Sequence, residues 1–89
     1  MPERHVVVAS SVGLHARPAA LLSQAAAAAG IPVTLTGPSG RSVNAASILG
    51  VLSLGVDCGQ EVTIAADGDG ADAVLDDLAA MLGRDLELE

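Results

Sequence analysis

Apolar positions along this chain follow a two-residue rhythm in some stretches and a helical rhythm in others, and the changes of rhythm mark the elements. From Arg4 to Ala9 the run is short, valine-rich and strand-like. Ser10 to Leu14 reads as a connection. Ala16 to Ala29 is a helix: alanine and leucine favour it, and Leu21, Leu22, Ala25, Ala26 and Ala29 form an apolar stripe at helical spacing. Gly30 ends it ahead of Ile31-Pro32. Ile31, Val33 and Leu35 then alternate with Pro32, Thr34 and Thr36, the pattern of a strand with one buried face. Gly37-Pro38-Ser39-Gly40 is a turn, and Arg41 to Val43 is the returning strand of a hairpin.

A short helix covers Ser47 to Leu54 and stops at Gly55. After a loop from Val56 to Gln60, Glu61 to Ala66 forms a strand with Val62 and Ile64 on one face. Asp67-Gly68-Asp69-Gly70 turns the chain into a last helix, Ala71 to Leu82, whose apolar face is Val74, Leu75, Leu78, Met81 and Leu82. Asp72 complements its N-terminus, while Asp76 and Asp77 form a solvated face. The order β-α-β-β-α-β-α belongs to the α+β class. A strand-helix-strand unit with a right-handed crossover leaves room for the last strand between the first two. This gives a four-stranded antiparallel sheet with three helices on one face. Residues 1–89 read as one domain, with no repeat or linker.

Composition narrows the chemistry. The chain has 89 residues and no Phe, Trp or Tyr, so aliphatic side chains and alanine must fill its core. Its net charge of -7, with four arginines and no lysine, argues against nucleic-acid binding, which needs clustered cations and stacking platforms. The missing lysine also removes P-loop and Schiff-base chemistry. One cysteine, Cys58, cannot pair within the chain, which fits a reducing compartment. Met1-Pro2-Glu3-Arg4-His5 lacks the basic and apolar regions of a signal peptide, and no apolar run is long enough to insert in a membrane. A cytoplasmic protein, and a monomer, is expected.

The stretch Gly13-Leu14-His15-Ala16-Arg17-Pro18-Ala19 places a histidine where the first helix begins. Pro18 is tolerated in that first turn, because the leading N–H groups have no intrahelical acceptor. Those N–H groups, at Ala16 and Arg17, and the positive end of the helix dipole suit an anion held on His15. The guanidinium of Arg17 adds a planar cationic fork for phosphate oxygens. Dipole and arginine together also favour the neutral, nucleophilic imidazole. Gly13 lets the connection turn tightly into the helix.

This motif closely resembles the active-site signature of the histidine-containing phosphocarrier (HPr) family of the sugar phosphotransferase system. Asn44-Ala45-Ala46-Ser47-Ile48-Leu49-Gly50-Val51-Leu52-Ser53-Leu54-Gly55 resembles that family's second signature, and element order agrees from end to end. The resemblance implies an open-faced β-sandwich with strand order 1-4-2-3. It implies phosphorylation of His15 on Nδ1, with phosphoenolpyruvate as original donor, enzyme I as immediate donor and enzyme IIA domains as acceptors in carbohydrate uptake. The protein would then be a stoichiometric carrier rather than an independent catalyst, with no cofactor or metal. The resemblance further implies that Ser47, besides capping its helix, is a site for an HPr kinase/phosphorylase. Ile48, Leu49 and Leu52 correspond to the family's exposed docking patch, although at least one of the three is expected in the core. Many relatives carry lysines on these helices, and Val12 stands where a small polar residue is common.

Two other readings stay open on the residues alone: a regulatory module that binds an anion at His15 and Arg17 without covalent transfer, and a phosphocarrier of a nitrogen-related or dihydroxyacetone-kinase branch. Weaker constellations lead elsewhere. His5 lies in a strand pattern and Cys58 in a loop, both read as incidental to the chemistry. Asp67, Asp69 and Asp72 suggest a calcium loop, but Leu78 stands where the bidentate glutamate belongs. Ser53 is mid-helix and is not spaced as a nucleophile elbow.

Overall fold

The computed structural model describes residues 2–9 and 16–83. Its elements are β1 (Glu3–Val7), α1 (Ala16–Ala28), β2 (Val33–Thr36), β3 (Ser42–Asn44), α2 (Ile48–Ser53), β4 (Glu61–Ala66) and α3 (Ala71–Leu82). The four strands form one sheet in the order β1-β4-β2-β3, with every neighbouring pair antiparallel. β1 and β2 therefore run parallel with β4 inserted between them, the arrangement expected from the crossover argument. Val6 pairs with Val62 and Leu35 with Ile64 across that central strand.

Alternation fixes which face is covered. Val62, Ile64 and Ala66 of β4 and Val33 and Leu35 of β2 are buried, and the intervening residues are half-buried or exposed. The helices supply the other half of the core through Ala19, Leu22 and Ala26 of α1, Val51 of α2, and Ala71, Leu75, Leu78 and Leu82 of α3. Each large aliphatic side chain so buried contributes about 1.5–3 kcal/mol. The open face instead carries a polar row. His5 Nδ1 lies 2.9 Å from Thr63 Oγ1, and Thr36 Oγ1 lies 2.7 Å from Ser42 Oγ.

Several boundaries differ from the sequence reading for identifiable reasons. β1 ends at Val7 rather than Ala9, because the backbone of Val8 and Ala9 bonds outside the regular ladder. β2 starts at Val33, leaving Ile31 half-buried beside the core, and β3 is shifted by one residue to Ser42–Asn44. Asp76 is not simply solvated. Arg4 on β1 donates to Asp76 at 3.0 Å and to Asp72 at 3.1 Å, fastening the edge strand to α3. The hydrogen bonds to Asp72 first, and Asp76 second, hold the Arg4 pKa above its ordinary value.

Candidate functional site

α1 begins at Ala16, so the residue after His15 in the chain opens the helix. His15 itself, with Val12, Gly13 and Leu14, lies outside the described residues. The N–H groups of Ala16 and Arg17 belong to the first turn and have no intrahelical acceptor. Pro18 and Ala19 are fully buried and set the rotation of that turn, which leaves Arg17 on the exposed side. The first turn contains no acidic residue, so nothing within it opposes an anion at this end.

A second constellation is built on α2. Asn44, at the end of β3, accepts the Ala46 N–H on its side-chain oxygen at 2.9 Å and the Ser47 N–H on its backbone carbonyl at 3.0 Å. That turn delivers Ser47 in an extended conformation as the N-cap, where its hydroxyl accepts the Gly50 N–H at 3.2 Å. Gly50 lies at a close approach: a Cβ there would stand 3.2 Å from Val43 Cβ and 3.4 Å from Ser47 Oγ, so a side chain would have to displace those neighbours slightly. Only Val51 of this helix is buried. Ile48, Leu49 and Leu52 are all exposed, at 38%, 77% and 38%, so the expectation that one of them belongs to the core is corrected. The structure thus gathers Ser47 and the three apolar residues on one short helix, which packs against α1.

The remaining sequence candidates stay minor. Cys58 and His5 are exposed, and Ser53 donates its hydroxyl to the Gly50 carbonyl at 2.6 Å. Among the described residues no group of three or more His, Cys, Asp or Glu could hold a metal ion. Among them, too, no helix is long and apolar enough to cross a membrane.

Residues 2–84 match the family model for the PTS HPr component phosphorylation site. The chain belongs to the HPr family. It is 48% identical over 87 residues to the phosphocarrier protein HPr of Streptomyces coelicolor, covering 98% of this chain and 94% of that relative. The crystal structure of a phosphocarrier protein HPr from Bacillus anthracis strain Ames superposes with a TM-score of 0.86 at 37% identity, covering 91% of this chain and 95% of that one. An HPr structure from Thermoanaerobacter tengcongensis gives 0.80 at 38% identity, covering 97% and 100%. The fold described above is the open-faced sandwich of these HPr structures. Membership makes the chain a phosphocarrier of the phosphotransferase system rather than a catalyst in its own right.

Two features escape a reading of the sequence. The Arg4 clamp joins residues 68 and 72 positions apart, beyond any local pattern. The turn at Asp57–Gln60, which reads only as a loop, grips the last described residues before the phosphocarrier motif. Its signal is the glycine at position 59, which adopts a φ of 86° that other residues rarely take.

Proposed function

We propose that this chain carries a phosphoryl group on Nδ1 of His15, accepts it from phospho-enzyme I and passes it to enzyme IIA domains during carbohydrate uptake. It works as a cytoplasmic monomer. The observation that carries the reading is the family match across residues 2–84, together with a helix that starts one residue after His15. With the ring proton on Nε2, the Nδ1 lone pair bonds to phosphorus as the bond to the donor breaks, and that electron pair leaves with the donor. The same exchange in reverse roles delivers the group to the acceptor. The first-turn N–H groups of Ala16 and Arg17 stabilise the phosphoryl oxygens, and the Arg17 guanidinium neutralises charge during transfer.

Ile48, Leu49 and Leu52 form the docking patch, a contiguous apolar surface of the kind that marks a protein contact. Ser47 lies at its edge, where an added phosphate would gain from the helix N-terminus yet repel an acidic partner. An HPr kinase/phosphorylase is the matching modifier.

The test is mass measurement after incubation with enzyme I, magnesium and phosphoenolpyruvate. The wild-type chain should gain one phosphoryl group, labile in acid and stable in base, and His15→Ala should gain none while keeping its circular dichroism spectrum. Equal labelling of both places the acceptor elsewhere, and no labelling by a competent enzyme I favours non-covalent binding.

A further inference from the structure

The connection between β4 and α3 reads Asp67-Gly68-Asp69-Gly70, and it holds the only two places in the chain where aspartate precedes glycine. All four residues are exposed. The two Asp-Gly peptides are nevertheless held differently. The Gly68 N–H donates to the carboxylate of the residue just before it, Asp67 Oδ1, at 3.0 Å. Among the described residues it makes no bond to a backbone carbonyl. The second Asp-Gly peptide lies inside a closed turn: the Ala71 N–H donates to the Gly68 carbonyl at 3.2 Å, and the Gly70 carbonyl accepts the Val74 N–H at 3.0 Å as α3 begins. Among the described residues no bond joins the Asp69 carboxylate to the Gly70 N–H.

The contact at Asp67 brings a nucleophile and an electrophile together. The carboxyl carbon is about 1.2 Å from Oδ1, so it lies within about 4.2 Å of the Gly68 nitrogen. Reacting atoms meet from about 3–3.5 Å, a gap that a small rotation about the Asp67 Cα–Cβ bond closes. Gly68 has no Cβ to obstruct the approach and sits at a φ of 114°, a conformation that favours glycine. The reaction open to this pair is condensation. The Gly68 nitrogen bonds to Asp67 Cγ, and its proton leaves with the hydroxyl of the protonated carboxyl as water, closing a five-membered succinimide. Water then opens the ring. Attack at Cγ breaks the new bond and restores aspartate, whereas attack at the Asp67 backbone carbonyl breaks the original peptide bond and leaves isoaspartate. One water leaves and one returns, so composition is unchanged while the backbone gains one carbon.

We infer that Asp67 is a site of spontaneous isomerisation in the folded protein, selected over Asp69 by the contact between its carboxylate and the Gly68 N–H. The exposed turn admits the water that the second step consumes. The added carbon falls in the connection that sets the start of α3, ahead of the Asp72 and Asp76 carboxylates gripped by Arg4.

The experiment incubates the full chain, Asp67→Glu and Asp69→Glu at physiological temperature and neutral pH over weeks. Isoaspartate is counted by methyl transfer from labelled S-adenosylmethionine, using an isoaspartyl methyltransferase as probe, and located by fragmentation mass spectrometry. Glutamate keeps the charge but must close a six-membered ring, which forms far more slowly. In the folded wild type the label at Asp67 should exceed that at Asp69 by at least about threefold. Asp67→Glu should lose most of the label, and Asp69→Glu should keep it. In concentrated urea, where the turn is undone, the two aspartates should be labelled within about twofold of each other. Equal labelling of the two in the folded chain, or no label at Asp67 there, overturns the inference. So does an undiminished preference for Asp67 in urea, which would assign the selectivity to sequence rather than to the folded contact.

Discussion

Ser47 offers a way to separate folding from docking at a single position. Its hydroxyl caps α2 through one 3.2 Å bond to the Gly50 N–H, on an exposed residue at the start of a helix only six residues long. Removing the cap in Ser47→Ala should cost about 0.5–1 kcal/mol. For a domain of this size that corresponds to a fall of about 2–8 °C in Tm. Ser47→Asp keeps an acceptor in the same place and adds about 0.3–1 kcal/mol of favourable interaction with the helix N-terminus, so its Tm should hold or rise. The same carboxylate takes the net charge from -7 to -8 and sits directly before Ile48 on the apolar patch. Thermal denaturation by circular dichroism gives one axis, and the KM for each variant as a substrate of enzyme I gives the other. Ser47→Ala should lower Tm with KM unchanged, and Ser47→Asp should raise KM with Tm held or raised. A rise in KM for the alanine variant equal to that for aspartate, or a parallel loss of stability in the aspartate variant, would refute the separation and place the docking surface elsewhere.

Two further outcomes are expected. Arg17→Ala should slow phosphoryl transfer, measured in rapid-mixing experiments with phospho-enzyme I, far more than it lowers Tm, because a side chain on the exposed side of the first turn contributes little packing. Arg4→Gln should lower Tm at low ionic strength by cutting the bonds from β1 to Asp72 and Asp76, and the difference from wild type should narrow at about 1 M salt, where charges are screened within about 3 Å.

The parts of the fold legible in the sequence are those where a long rhythm meets a glycine. α3 runs from Ala71 to Leu82 as its pattern predicts, because its apolar face spans three turns between Gly70 and Gly83. β4 matches from Glu61 to Ala66, where alternation is uninterrupted. The sequence locates α2 but not its faces, since six residues make fewer than two turns and cannot distinguish the inward Val51 from the outward Leu52 by spacing. The end of β1 is misplaced by pattern alone because Val8 and Ala9 look like strand residues yet bond to the Asp57–Gln60 turn and to the end of α3. The site motif is legible as residues, with Arg17 and Ser47 found on the elements expected of them. The bond that Gln60 Oε1 accepts from the Asp57 N–H is not, because a side chain closing its own turn leaves no periodic trace.

The wholly aliphatic interior has a practical corollary for studying recognition. Without Phe, Trp or Tyr, the only rings that can generate ring currents in this chain are the imidazoles of His5 and His15. Methyl resonances of Ile48, Leu49 and Leu52 should therefore be shifted on complex formation chiefly by aromatic residues of the partner. The chain also adds almost no near-ultraviolet absorption or fluorescence of its own, so every such signal from a mixture reports the other protein. A molecule built from methyl groups becomes a dark background against which its partners can be read.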